Sequence, residues 1–196
     1  MRKGLIAVIV LAVAGIGIYS FLKGNYNNLV TKDEAVATAW ANVQTQYQRR
    51  ADLIPNLVST VKGFAQQEQE VLTGVVEARA KASSIQLNAE DLTPQALEQF
   101  QAAQNQLSGA LSRLLVVVER YPELKSNQNF LELQAQLEGT ENRIAVARDR
   151  FNETVRDYNT FMRQFPRNMV AGMFGFERKT QFQADQAAQQ APTIQF

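Results

Sequence analysis

Charged side chains that interrupt an otherwise apolar helical pattern have the most chemical reach in this chain. Arg49-Arg50-Ala51-Asp52, followed by Pro55-Asn56, is the densest such group. Two readings fit it. One is a polar docking point for a partner protein or an acidic lipid head group. The other, which is favoured, is structural: Arg50 pairs across a bundle with a carboxylate, while Asp52 and Asn56 satisfy backbone groups freed by Pro55. Glu68, with Glu138 and Glu141 at i,i+3 spacing, could assemble a carboxylate site for a metal. Arg143, Arg148 and Arg150 on the same stretch favour a charge-matched register device instead. Arg120-Tyr121-Pro122-Glu123-Leu124 reads either as a recognition turn or as a helix stop with Tyr121 packed as its last core residue. The segment from Phe165-Pro166 to Phe174-Gly175-Phe176 is strongly apolar. It is either a partner or membrane contact or a cap over the open end of a bundle. Capping is favoured, because an exposed patch of that size exceeds what soluble proteins tolerate.

Composition narrows the chemistry further. The chain has no His and no Cys. A Ser-His or Cys-His dyad, His-ligated zinc and the Glu-x-x-His pairs of carboxylate-bridged di-iron bundles therefore cannot be built. A disulfide framework and a lipoprotein cysteine are excluded on the same grounds. Lys plus Arg number 20 against 19 Asp plus Glu, so the basic footprint of a nucleic-acid binder is missing. No catalytic residue, metal or cofactor is assigned, and the expected role is binding rather than catalysis.

These residues need elements to position them, and the periodicity supplies helices. From Val36 a seam runs through Trp40, Val43, Tyr47, Arg50, Ile54, Leu57, Val61, Phe64, Glu68, Val71, Val75 and Ala78, a strongly amphipathic pattern. Its one breaker is Pro55, so a kinked long helix and two successive helices both fit. Residues 83–92 read as a loop, and Thr93-Pro94 as a helix start. The next seam, Leu97 to Tyr121, stops at Pro122. Ser126 or Asn127 can cap another helix whose seam runs from Phe130 through Thr140 and Phe151 to Phe165, ending at Pro166. Three to four long helices joined by short loops must fold back antiparallel. The expected fold is all-α, an elongated antiparallel bundle over residues 25–178 with a kink or break near Pro55, followed by a Gln/Ala-rich mobile tail, 179–196.

Ahead of the bundle, Arg2-Lys3 precede an uncharged apolar run from Gly4 to Leu22, closed by Lys23. As a helix it reaches roughly 28 Å, close to the ~30 Å hydrocarbon core of a bilayer. A cleaved secretory signal competes with this reading, but its apolar region is shorter and would not carry Tyr19, Phe21 and Leu22 at its far end. Residues 1–24 are therefore expected to be an uncleaved membrane anchor, with residues 4–22 in lipid. Arg2, Lys3 and the amino terminus outweigh Lys23 and the Lys32 that Asp33 and Glu34 offset. That places the bundle outside the cytoplasm.

Three longer stretches exceed generic helical composition. The first is Tyr26-Asn27-Asn28-Leu29-Val30, Ala39-Trp40-Ala41-Asn42-Val43-Gln44, Arg49 to Val58 (RRADLIPNLV) and Val61-Lys62-Gly63-Phe64. The second is Arg120 to Asn127 (RYPELKSN) running into Leu137 to Ile144 (LEGTENRI). The third is Tyr158-Asn159, Phe165-Pro166-Arg167-Asn168 and Gly175-Phe176. Together they resemble the LemA family from about residue 25 to residue 182, with Ala65-Gln66-Gln67-Glu68 a minor departure and no family signal after 182. The resemblance implies a single-pass membrane protein with a long helical bundle, in a family of bacterial envelope proteins of undefined role, one relative of which serves in building magnetosome membranes. It implies no reaction.

The expectation is thus an inner-membrane protein of the bacterial envelope acting as scaffold, adaptor or membrane-assembly factor. Its partners are the lipid bilayer, a protein not identified by sequence and a second copy of itself, with no nucleic acid. The rival is a His-free enzyme or transport accessory using Arg50, Glu68 and Glu141 in a cleft.

Overall fold

The computed structural model describes residues 2–183, and every regular element among them is helical. In order these are α1 (Arg2–Phe64), α2 (Gln69–Ser84), α3 (Pro94–Val118), the short α4 (Pro122–Lys125), α5 (Gln128–Arg163) and α6 (Arg167–Met173). Arg79 meets the Ala51 carbonyl and the Leu87 carbonyl meets Trp40, so α2 runs back along α1. Gln104 reaches Ala82, reversing the direction again in α3. Trp40 against Phe151 and Arg50 against Glu141 set α5 antiparallel to α1. The result is an up-down-up-down four-helix bundle built by α1, α2, α3 and α5.

Helix α1 has 63 residues, which at 1.5 Å each is about 95 Å. Its first part stands clear of the bundle: Leu5, Ile9, Val13 and Ile16 are each more than half exposed. Among the described residues it is the one helix long and apolar enough to cross a membrane. Bundle packing then begins without interruption. Leu22 touches the core, Leu29 is fully buried, and Val36, Trp40, Val43, Tyr47, Arg50, Ile54, Leu57 and Val61 follow on the expected seam.

The helix does not break at Pro55, which lies inside α1 with no boundary on either side. The break comes at residues 65–68, where the sequence shows neither proline nor glycine. Around it the buried face departs from the expected seam at Phe64 and Val71, while Val75 keeps its expected place. Ala65, Leu72, Val75 and Ala82 are buried, whereas Phe64 is 43% exposed and Val71 only partly covered. A period-3.5 pattern crosses a tight turn almost in phase, so the seam conceals the hairpin. Gly63 after Lys62, a helix-stop signal, is the cue that marks it.

The remaining boundaries follow local chemistry. Thr93 Oγ1 accepts from the Ala96 N–H at 3.1 Å, with Pro94 next to it in the first turn of α3. Asn127 rather than Ser126 caps α5, its Oδ1 accepting from the Phe130 N–H at 3.1 Å. The Ser126 hydroxyl instead donates to the Pro122 carbonyl.

Residues 179–183 are not a mobile tail. They lie extended along α5 and are held by two asparagines seven positions apart. Asn159 accepts from the Lys179 N–H at 3.0 Å and donates to its carbonyl at 2.9 Å. Asn152 does the same for Phe182, at 2.8 and 3.2 Å. These paired bonds satisfy the backbone as a neighbouring strand would, and they let Phe182 bury against Trp40 and Phe151. Residues 184–196 of the expected tail lie outside the described residues.

Candidate functional site

The bundle interior is two apolar cores in series. The membrane-proximal one holds Leu29 to Tyr47 of α1, Leu97 and Phe100 of α3, Ile144 to Met162 of α5, and Phe182. The distal one holds Ile54 to Val61, Leu72 to Ala82, Leu107 to Val118 and Phe130 to Leu137. Between them lies a polar layer. Arg50, Gln104 and Thr140 are the buried polar residues among those described, and Arg50 is only 1% exposed.

Arg50 organises this layer. Its Nη1 donates to Glu141 Oε1 at 2.6 Å and to Ser108 Oγ at 3.0 Å, and its Nη2 donates to Gln104 Oε1 at 2.5 Å. The guanidinium also stacks over the Tyr47 ring, 5.2 Å from its centroid. Gln104 in turn donates to the Ala82 carbonyl at 3.4 Å. One cation therefore ties α1 to α3 and α5, and through Gln104 to α2. The expected cross-bundle ion pair is present, with Glu141 as the carboxylate. Its reading as a docking point fails for Arg50 itself, which faces no solvent. The Glu141 side chain keeps 47% of its exposure, so the pair reaches the surface through its acid. Burial pushes the neighbouring Tyr47 hydroxyl above its usual pKa, against the opposing pull of Arg148 and Arg50. A small cavity of about 80 Å³ adjoins the layer, lined by Gln44, Tyr47, Ala82, Gln104 and Leu107 among others.

Pro55 creates a debt one turn away. It cannot donate to the carbonyl four residues back, and that carbonyl belongs to Ala51, which is buried. Arg79 on α2 supplies the missing donor, its Nε lying 2.7 Å from the Ala51 oxygen. Asp52 and Asn56 do not fill this role. Asp52 is exposed and accepts from Gln48 at 2.7 Å, and the Asn56 carbonyl accepts from Thr60 at 2.9 Å. Arg49 also lies on the surface. Arg79 carries no local signal, because its value appears only once α2 folds back onto α1.

The structure separates the carboxylates that were candidates to meet. Glu68 sits at the α1–α2 turn, where it pairs with Arg120 at 3.2 Å and accepts from the Tyr121 hydroxyl at 3.2 Å. Glu141 lies in the Arg50 layer. From residue 50 to the end of α1 is 14 residues, about 21 Å of helix, so Glu68 cannot share a site with Arg50. Glu138 is exposed and accepts from Gln134, and Arg143 bonds back to the Gly139 carbonyl on its own helix. No metal-competent group of acids occurs among the described residues. Arg120 and Tyr121 thus latch the distal end of the bundle, with Pro122 opening α4 beside them. Partial burial, then the bond to Glu68, raises the Tyr121 pKa.

At the other end the Phe165–Phe176 segment divides its residues between two roles. Val170 and Ala171 are buried and Phe176 packs on the proximal core, which is capping. Phe165 is 81% exposed, Met169 63%, Met173 67% and Phe174 50%. Tyr26 meets both Phe174 and Phe176, with ring centroids 4.8 and 5.9 Å away. Nearby, Tyr158 donates to the Glu177 carbonyl at 2.9 Å. Burial, then Asp33 and Glu177, push its pKa up to about 12.

An antiparallel four-helix bundle carried on a single helix long and apolar enough to span a bilayer defines the class of this protein. Within that class the chain belongs to the LemA family, whose model matches residues 39–196. The match extends past residue 182, so the tail lies within the family pattern. The chain is similar to magnetosome protein MamQ 2 of Paramagnetospirillum magneticum, 27% identical over 177 residues, covering 81% of this chain and 64% of that one. It is likewise similar to magnetosome protein MamQ of Magnetospirillum gryphiswaldense, at 26% over 194 residues and 89% and 71% coverage. Protein LemA of Metamycoplasma hominis is 23% identical over 172 residues, covering 87% of this chain and 75% of that one. The chain thus spans 64% of the length of the first of these relatives.

Proposed function

We propose that this protein is a single-pass, membrane-anchored scaffold of the bacterial envelope, acting by binding as an adaptor or membrane-assembly factor and associating with copies of itself. The observation that carries the reading is the continuity of α1: one helix leads from the apolar run into the bundle, so a bilayer-embedded segment holds the bundle upright without a linker. A rigid post presenting a surface at a set distance from the membrane suits assembly work. The likeness to relatives named as magnetosome proteins is compatible with such a role. Among the described residues the one buried cation, Arg50, is bonded to Glu141, Ser108 and Gln104 within the bundle. The rival built on Arg50, Glu68 and Glu141 needs all three in one cleft, and it is less supported because Glu68 pairs with Arg120 at the far end from the Arg50–Glu141 pair.

The test is affinity capture of the full chain from detergent-solubilised native membranes. A stoichiometric partner or a homo-oligomer is expected, and a lone monomer under mild detergent overturns the scaffold role. The positive flank at Arg2 and Lys3 argues for an extracytoplasmic bundle. A reporter active only outside the cytoplasm, fused after Phe196, should be active, and a cytoplasm-only reporter active there reverses the orientation.

A further inference from the structure

We infer that the exposed face of α6 is a second membrane contact, inserted into the head-group layer beside the anchor and holding the base of the bundle against the lipid. The inference rests on the anchor reading above and deepens it. Met169 and Met173 lie one turn apart on α6, and both are exposed together with Phe165 before the helix and Phe174 after it. The opposite face, Val170 and Ala171, is sealed against the bundle. The segment is therefore amphipathic, with its apolar side mostly open apart from the Phe174 contact with Tyr26, a costly arrangement in water.

Its height on α1 identifies the occupant. Leu22 is the last residue of the apolar run and also packs against the proximal core. Phe174 packs at a tilt against Tyr26, one helical turn further along, so this part of the patch stands about 6 Å beyond the end of the apolar run. The interfacial layer of a bilayer is about 5–7 Å thick on each side. The patch thus lies in the layer where short amphipathic segments bury their apolar side chains. Lys23, directly after Leu22, is exposed and puts a cation at the level of lipid phosphates. An anchor crossing the bilayer carries this patch to the lipid surface whatever else binds the protein.

The absence of cysteine makes the test direct. The full chain carrying one cysteine, Ala12→Cys, Ser126→Cys, Met169→Cys or Met173→Cys, is labelled with the fluorophore NBD. It is then reconstituted into phosphatidylcholine/phosphatidylglycerol liposomes. Lipids bearing doxyl groups near the head-group end of the acyl chain should remove most of the emission at positions 169 and 173, lipids bearing them near the methyl end should do so at 12, and neither should affect 126. Quenching at 12 alone, with 169 and 173 open to aqueous iodide, overturns the second contact and leaves the anchor standing. Labels at 169 and 173 shielded from both quenchers mean that protein, such as a second copy, covers the patch, and this also overturns it. Doxyl quenching at none of 12, 169 and 173 overturns the anchor reading and this inference together.

Discussion

Arg50 shows what a charge inside a heptad seam does to stability. Removing it orphans whatever depended on it, and those dependants differ in cost. Glu141 stays nearly half exposed and remains hydrated after losing its partner, so the roughly 3–5 kcal/mol of a broken buried pair does not apply to it. Gln104 is 6% exposed and would keep an unpaired Oε1, at about 1–3 kcal/mol. Arg50→Leu should therefore lower the thermal midpoint of the bundle. Arg50→Leu with Gln104→Leu should restore or raise it, while Arg50→Leu with Glu141→Gln should not. A set of thermal melts decides between the two partners. Tyr158 gives a second prediction at this scale. Its folded pKa of about 12 lies above the ordinary value of 10.0. Its stabilising share is thus complete below pH 10 and falls as pH rises toward 12, because the unfolded chain gives up the proton first. Chemical denaturation across that window should show a stability loss that Tyr158→Phe makes shallower, even though the variant starts less stable for want of the bond to Glu177.

Among the elements, the α1–α2 pair carries the least expected dependence. A helix runs through Pro55 because α2 brings Arg79 to the carbonyl that the proline abandons. Arg79→Met should cost about 1–3 kcal/mol in the native background by stranding the buried Ala51 carbonyl. In a Pro55→Ala background, where residue 55 again donates its N–H, the same change should cost little. A double-mutant cycle by denaturant unfolding measures this coupling, and equal costs in both backgrounds would show that Arg79 acts elsewhere. This is also where sequence reading met its limit. Helical class, the Thr93 and Asn127 caps, and the seams of α1, α3 and α5 were legible because each depends on neighbours within one or two turns. The Ala51–Arg79 bond and the Asn152 and Asn159 clamps were not, since each depends on chain separations that periodicity does not encode; the hairpin at 65–68 was hidden because the seam crosses it almost in phase. Even the Arg50–Glu141 pair was foreseeable only as a need for some carboxylate, not as a choice of one.

For the whole molecule, two cores separated by a polar layer share a single continuous α1. A fragment beginning at Asn25 keeps nearly all of both cores, and it should fold to a strongly helical domain by circular dichroism. Its bare α6 patch and the lost Leu22 contact should make it self-associate or bind detergent micelles in a way that Met169→Lys with Met173→Lys abolishes. A monodisperse, micelle-indifferent fragment would mean that the patch finds cover within the bundle. Substantial strand content would contradict the fold.

A helix that passes from bilayer to bundle without a joint also fixes phase. Each residue added inside the apolar run turns everything above it by about 100° and lifts it by about 1.5 Å. One leucine inserted between Gly17 and Ile18 should therefore swing the bundle's faces far from neighbouring copies. Four leucines should bring those faces back to within about 40° of their original bearing. If copies meet through one particular face while their anchors stay paired, co-purification of two differently tagged chains should fall with one insertion and recover with four. A swivel at the membrane surface would leave both unaffected. The anchor would then act as a torsional reference for the assembly as well as its tether.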